Sequence, residues 1–173
     1  MGIQAYIRDA LVKVIQSVPD TGQVHNRYKY ASDWNVFLDK FTVTIAGKKQ
    51  IRGWWISIPT LPGGLNYDSF ETHWHNFVFP IRAIMGYSDT DDSETEFENM
   101  IYAVHGKLHE QGVLGLGPLQ LAPTIDQVIP GGSIDVILPL IDIRTFGSVL
   151  CHYAELYLTV GVKDTSGFGV WQD

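Results

Sequence analysis

The chain has 173 residues, 45% of them hydrophobic and 18% charged, with a net charge of −7. That length suits one domain with a self-sufficient core, and the negative charge argues against a nucleic-acid binder held by phosphate contacts. The single cysteine, Cys151, excludes an internal disulfide, and no apolar run approaches the about 20 residues of a membrane span.

Ile3, Ile7, Ala10, Leu11, Val14, Ile15 and Val18 follow the i, i+3, i+4, i+7 spacing of an amphipathic helix over residues 3–18. Pro19 and the turn Asp20-Thr21-Gly22 end it. Met1–Tyr6 has no basic stretch leading into an apolar one, so it does not read as a signal peptide. Tyr6 also stands where a myristoylation motif needs Ser or Thr. A short strand is expected at 23–28. One or two helical turns follow at 32–40, with Ser32 or Asp33 as N-cap and Trp34, Phe37 and Leu38 facing inward.

Gly47-Lys48-Lys49 has turn composition, and Ile51–Pro59 reads as a strand. Thr60–Asn66 reads as a loop. Residues 72–87 form the longest strand candidate. Thr72, Trp74, Asn76, Val78, Pro80, Arg82 and Ile84 fall on one side, and His73, His75, Phe77, Phe79, Ile81, Ala83 and Met85 on the other. Pro80 cannot donate to a ladder, so it is expected at an edge or a bulge. Ser93 with Glu96 three residues on has the spacing of a capping box. Phe97, Met100, Ile101, Val104 and Leu108 then form the apolar stripe of a second main helix, ended by Gly112.

A strand is expected near Leu119–Ile129. Residues 130–147 break pattern and read as an extra strand, a β-arm or an inserted loop. The last strand covers Ser148–Val162, with Val149, Cys151 and Tyr153, then Leu156, Leu158 and Val160, on its apolar side. The change of phase near Ala154-Glu155 predicts a bulge. Lys163–Asp173 is expected to stay loose until it docks on something. The whole reads as a single α+β domain. A mixed or antiparallel sheet carries two main helices packed on one face.

Histidine is the strongest candidate for chemistry. His25, His73, His75, His105, His109 and His152 are six in a modest chain. His73 and His75 share a strand face, and His105 and His109 have the i, i+4 spacing of two helical zinc ligands. The helix reads His105-Gly106-Lys107-Leu108-His109, however, and lacks the glutamate base of His-Glu-x-x-His. Asp89–Glu98 holds six carboxylates but no glycine where a calcium loop turns. Cys151 and His152 are strand neighbours on opposite faces, so they cannot pair as nucleophile and base. Gly115-Leu116-Gly117-Pro118 fails as a dinucleotide fingerprint. No catalytic, cofactor-binding or metal-binding residue is assigned, and no enzyme activity is expected.

Two features favour assembly instead. Five Trp, eight Tyr and eight Phe exceed what a small core needs, and aromatics are enriched at interfaces. Charge is also divided: residues 1–60 carry eight Lys/Arg and four Asp/Glu, a balance of +4, while residues 61–173 carry four and fifteen, a balance of −11. Such asymmetry lets one face of a subunit meet a different face of its neighbour, the contact that builds rings.

The stretch from Ile7-Arg8-Asp9-Ala10-Leu11 through Gly22-Gln23-Val24-His25-Asn26-Arg27-Tyr28, the aromatic-rich short helix with Trp34, Phe37, Leu38 and Phe41, and Gly53-Trp54 resemble a phage family. The strand near His75–Gly86, the acidic helix start at Ser93, and the closing Gly147-Ser148-Val149-Leu150-Cys151-His152-Tyr153-Ala154-Glu155-Leu156-Tyr157-Leu158 continue the pattern, the last being its most specific piece. The chain thus resembles the tail-terminator (neck, tail-to-head joining) proteins of tailed bacteriophages over roughly residues 5–160. Residues 130–147 and the segment after 163 fit that pattern less well.

The resemblance implies a structural virion protein of the tail or neck, assembled in the host bacterial cytoplasm. It implies a homohexameric ring that stops tail-tube polymerisation and joins the tail to the head connector. The implied partners are further copies of the chain, the tail-tube protein and a connector or stopper protein, with no cofactor and no membrane. DNA would pass through the lumen without sequence-specific binding, past an acidic or neutral wall drawn from the acidic helix or from Asp135–Asp142. The alternatives are another connector, head-completion, tail-tube or minor capsid subunit, and a small histidine-site metalloenzyme.

Overall fold

The amphipathic spacing at the start of the chain produces α1 (Ile3–Gln16), which turns Ile7, Leu11 and Ile15 to one fully buried side. The computed structural model describes residues 3–29, 33–59, 66–69, 72–89, 92–110, 127–129 and 136–164. After α1 come β1 (Gln23–His25), α2 (Trp34–Phe41), β2 (Thr42–Ile45), β3 (Lys48–Ile56), β4 (Asn66–Ser69) and β5 (Thr72–Gly86). They are followed by α3 (Ser93–Glu110), β6 (Gln127–Ile129), β7 (Val136–Phe146) and β8 (Val149–Asp164).

The two longest strands, β5 and β8, pair antiparallel from His73 opposite Asp164 to Gly86 opposite Cys151 without a break. They form the centre of the sheet. β3 pairs antiparallel with the other side of β5, and β2 antiparallel with β3. β1 is parallel to β3, which makes the sheet mixed. β4 pairs with β5, and β6 and β7 both pair with β8. The class is therefore α+β.

Alternation along β5 sorts its side chains as expected. Phe77, Phe79, Ile81, Ala83 and Met85 join Trp54, Ile56, Ala154, Leu156, Leu158 and Val160 beneath α1 and α3. The two main helices cover one face. Each fully buried Leu, Ile or Phe there contributes roughly 1.5–3 kcal/mol of transfer free energy. The other face carries α2, with Phe41, Trp55, Ile84 and Tyr153 as a second small core. The Asp33 carboxylate caps α2 by accepting from the Val36 amide at 3.0 Å. Phe41, not Leu38, is the residue α2 buries most.

Several sequence expectations are corrected. Ser93 and Glu96 do not form a capping box, because the Asp92 carbonyl accepts the Glu96 amide and so stands at the N-cap. The Ser93 hydroxyl bonds Ser88 and His152, while the Glu96 carboxylate bonds Arg52. β8 has no bulge in its pairing with β5 at Ala154-Glu155. Cys151, His152, Tyr153 and Ala154 are all buried because both faces of the strand are covered there, which hides the two-residue period. The bulge lies in β7, between Ile137 and Leu140 where it faces Tyr157 and Glu155, so Leu138-Pro139 holds the extra residue.

Pro80 is in a central strand rather than an edge. Its carbonyl accepts the Ser57 amide just past the Ile56–Ile81 pair, so its missing N–H falls where the β3 ladder stops. Residues 136–146 are a strand of the main sheet, joined to β8 by the turn Gly147-Ser148. β8 runs to Asp164, beyond the expected end at Val162. β4 was not foreseen at all. The expectations for 60–65, most of 119–129, 130–135 and 165–173 fall outside the described residues.

One buried cation ties the layers together. Arg52 is 1% exposed. Its guanidinium donates to the Asp20 carbonyl at 2.9 Å, to Gln50 Oε1 at 2.8 Å and to Glu96 Oε1 at 2.6 Å. It therefore fastens the turn after α1 and the start of α3 to the same strand. Gly22, at φ +83°, packs so close to the Arg52 carbonyl that no side chain has room there.

Candidate assembly surfaces

The histidines lie on different elements. His25 Nε2 lies 2.9 Å from the Lys40 carbonyl and stands edge-on to Phe41, joining β1 to α2. His73 and His75 occupy β5 positions opposite Asp164 and Val162. His105 and His109 touch, with ring centroids 4.6 Å apart. Among the described residues no group of three His, Cys, Asp or Glu side chains has the geometry to hold a metal ion.

His152 is buried beside a hydroxyl, with Ser93 Oγ at 2.8 Å. That pair has the look of a nucleophile and its base. Yet the Ser93 hydroxyl also accepts from the Ser88 amide and donates to the Ser88 carbonyl, and the imidazole is packed against Phe97 and Tyr87. Both groups are 5% exposed or less, so the arrangement serves to clamp the start of α3 onto β8. Cys151 points to the opposite face, as strand geometry requires, and burial pushes its thiol up to about 11, far from a reactive thiolate.

Burial holds both His25 and His152 below the ordinary 6.5, with Lys29 and Lys40 adding to the effect at His25 and Glu94 opposing it at His152. In the unfolded chain these rings take up protons near 6.5, so the unfolded state binds more protons below that point. Stability from the two neutral rings is thus present above about pH 6.5 and lost as pH falls through their lower folded values. The unfolding temperature should drop as pH falls below about 6.5, and a His25→Gln/His152→Gln variant should show a flatter profile there.

A polar cluster sits on the α2 side of the sheet. Glu155 accepts from Arg82 at 2.8 Å, from Tyr157 at 2.8 Å and from Tyr153 at 3.1 Å, and Arg82 also donates to Ser57. Burial alone would raise the Glu155 pKa, but the Tyr157 hydroxyl and the Arg82 guanidinium outweigh it and hold the carboxylate below its usual range. With three donors on one carboxylate, the cluster is a satisfied network rather than a poised acid or base. Beside it lies a groove of about 280 Å³ lined by Tyr28, Trp34, Phe37, Phe41, Trp55 and Phe146. A second, more polar cleft of about 510 Å³ opens between α1 and β1 around Asp9, Lys13, His25 and Lys29.

The two outer edges of the sheet differ in chemistry. On the β3 side, the segments from α1 to β3 carry Lys13, Arg27, Lys29, Lys40, Lys48 and Lys49. α3 packs beside α1 and over β5, β7 and β8. Glu96 reaches back to Arg52 in β3, whereas Glu94 lies close enough to His152 to act on its charge, and His152 pairs with Ile143 of β7. Glu94 and Glu98, four residues apart, share one exposed flank of α3. β7 itself exposes Ile141 (38%) and Ile143 (46%), next to Leu150 of β8 (43%).

No protein-family model matches this chain, and no curated protein is significantly similar to it.

Proposed function

We propose that the chain acts by assembly: a structural subunit that joins head to tail into a closed ring, as the resemblance to phage tail-terminator proteins implies. The observation that carries this reading is the difference between the two outer edges of one sheet: the β2–β3 hairpin exposes Lys48 and Lys49, and β7 exposes Ile141, Asp142 and Ile143. A surface that complements a different surface of the same molecule makes a heterologous contact, and such contacts close into rings when the rotation permits. Opposed charge steers the encounter and fixes its direction.

In this role the ring would cap the tail tube, end its growth and dock on the head connector. DNA would pass through a lumen poor in Lys and Arg, which avoids the phosphate contacts that hold nucleic acid. Native mass spectrometry or light scattering at low ionic strength tests the first step. A mass near six subunits is expected, and a monomer at every concentration and salt would overturn the proposal.

A further inference from the structure

The backbone of β7 can be followed group by group. The Leu150 carbonyl accepts the Tyr87 amide, so Leu150, and with it His152 and Ala154, turns its backbone groups toward β5. Their partners in β7 are Thr145, Ile143 and Ile141, and these three therefore direct N–H and C=O away from β8, to the outer side of the sheet. The Ile143 amide confirms this by donating at 2.8 Å to the neighbouring Asp142 carboxylate, which is itself half exposed and stands 3.6 Å from Arg144. A charged side chain laid over an edge amide keeps an open edge soluble until a better partner arrives.

At the opposite side of the sheet, β2 is also an edge. Among the described residues neither β2 nor β7 has a strand on its outer side. The two edges match in pattern. Val43 and Ile45 pair with Gln50 and Lys48 of β3 and lie on the side of the sheet that α1 and α3 cover, as do Ile141 and Ile143. Thr42 and Thr44 lie on the α2 side, as do Asp142 and Arg144. Setting β2 of one copy against β7 of the next places apolar beside apolar on one face and polar beside polar on the other, which is how strand register is specified. Lys40 precedes β2 and Lys48 and Lys49 stand across the hairpin from it, while Glu94 and Glu98 are exposed on α3, the helix that packs over β5, β7 and β8.

We infer that the outer edge of β7 receives β2 of a second copy of this chain, extending the sheet from subunit to subunit, with the Asp142 carboxylate released from the Ile143 amide on docking. The inference rests on the ring reading and names the contact that builds the ring.

Ile143→Pro is the critical variant. The Ile143 N–H makes no ladder bond to β8, so proline there leaves the subunit's own sheet intact and removes only an outward donor. Circular dichroism and the unfolding temperature check that the subunit still folds. Assembly is expected to weaken at least tenfold. In parallel, Ile143→Cys is combined with Val43→Cys or Ile45→Cys and oxidised with copper phenanthroline, while the buried Cys151 stays unreactive in wild type. Disulfide-linked chains of many subunits are expected from the double variants.

Each outcome decides something. A ring that survives Ile143→Pro without any 43–143 or 45–143 disulfide overturns the edge assignment and leaves the ring. Disulfides that form in a protein that never closes into a ring support the edge pairing and overturn the ring. Dimers linked through Ile143→Cys alone would mean that β7 pairs with β7, which overturns the inference.

Discussion

Replacing Glu96 with alanine is expected to lower the unfolding free energy by about 3 kcal/mol, measured by chemical denaturation. The reason is the position of its partner. The Arg52 side chain is 2% exposed, and Glu96 supplies its only ion pair among the described residues. Without that carboxylate the guanidinium is left charged inside the protein, held by one carbonyl and one amide oxygen. Removing one partner of a buried pair typically costs about 3–5 kcal/mol. The low end applies here because Glu96 is 47% exposed, so water can reach part of the vacated site. The converse change should be milder. Arg52→Met removes the buried charge and keeps most of the volume, while Glu96 turns to solvent, so less than half of the Glu96→Ala loss is expected. If Arg52→Met proves the more damaging of the two, the pair is not the electrostatic clasp described above.

Reversing Lys48 and Lys49 to glutamate is expected to weaken self-association about 100-fold at low ionic strength, with the folded subunit unchanged. Both side chains are exposed on the turn side of the β2–β3 hairpin. Like charges placed across an interface repel, and the penalty is read in both rate and affinity. The effect should shrink as salt is raised, because the screening length falls from about 10 Å at 0.1 M to about 3 Å at 1 M. Mixing this variant with one carrying Glu94→Lys and Glu98→Lys should restore association, since each then offers the sign the other needs. Analytical ultracentrifugation of the single and mixed species checks all three expectations. A reversal that changes nothing at low salt would remove the charge argument for a head-to-tail contact.

The parts of the fold that were legible are those in which one face is wet and the other dry. α1 and α3 announced themselves by their apolar stripes. β5 announced its two sides because Arg82 and Asn76 interrupt a row of aromatic and aliphatic residues. Where both faces are covered the pattern fails. Cys151, His152, Tyr153 and Ala154 are all buried, and their even hydrophobicity was mistaken for a bulge that in fact lies one strand away, at Leu138-Pro139. Pro80 misled for a related reason. Its missing N–H predicts an edge or a bulge, yet a central strand tolerates it because β3 ends at that level.

The candidate surfaces were less legible than the fold. The charge imbalance between the two halves was plain in the sequence, but its meaning was not. Ser93 and Glu96 have the spacing of a local cap, and both side chains instead reach partners far along the chain, His152 and Arg52. Spacing cannot say which of two available partners wins.

By itself the sequence determined the class, the two main helices and the sidedness of the longest strand, because each depends on residues within a few positions of one another. The tertiary structure alone decided that the β2–β3 hairpin with Lys48 and Lys49 and the strand β7 with Asp142 lie at opposite edges of one sheet. It also decided which edge strands are left open, and that Asp142 covers one of the open amides. Those facts depend on strand order and register, which bring together residues that local periodicity does not relate.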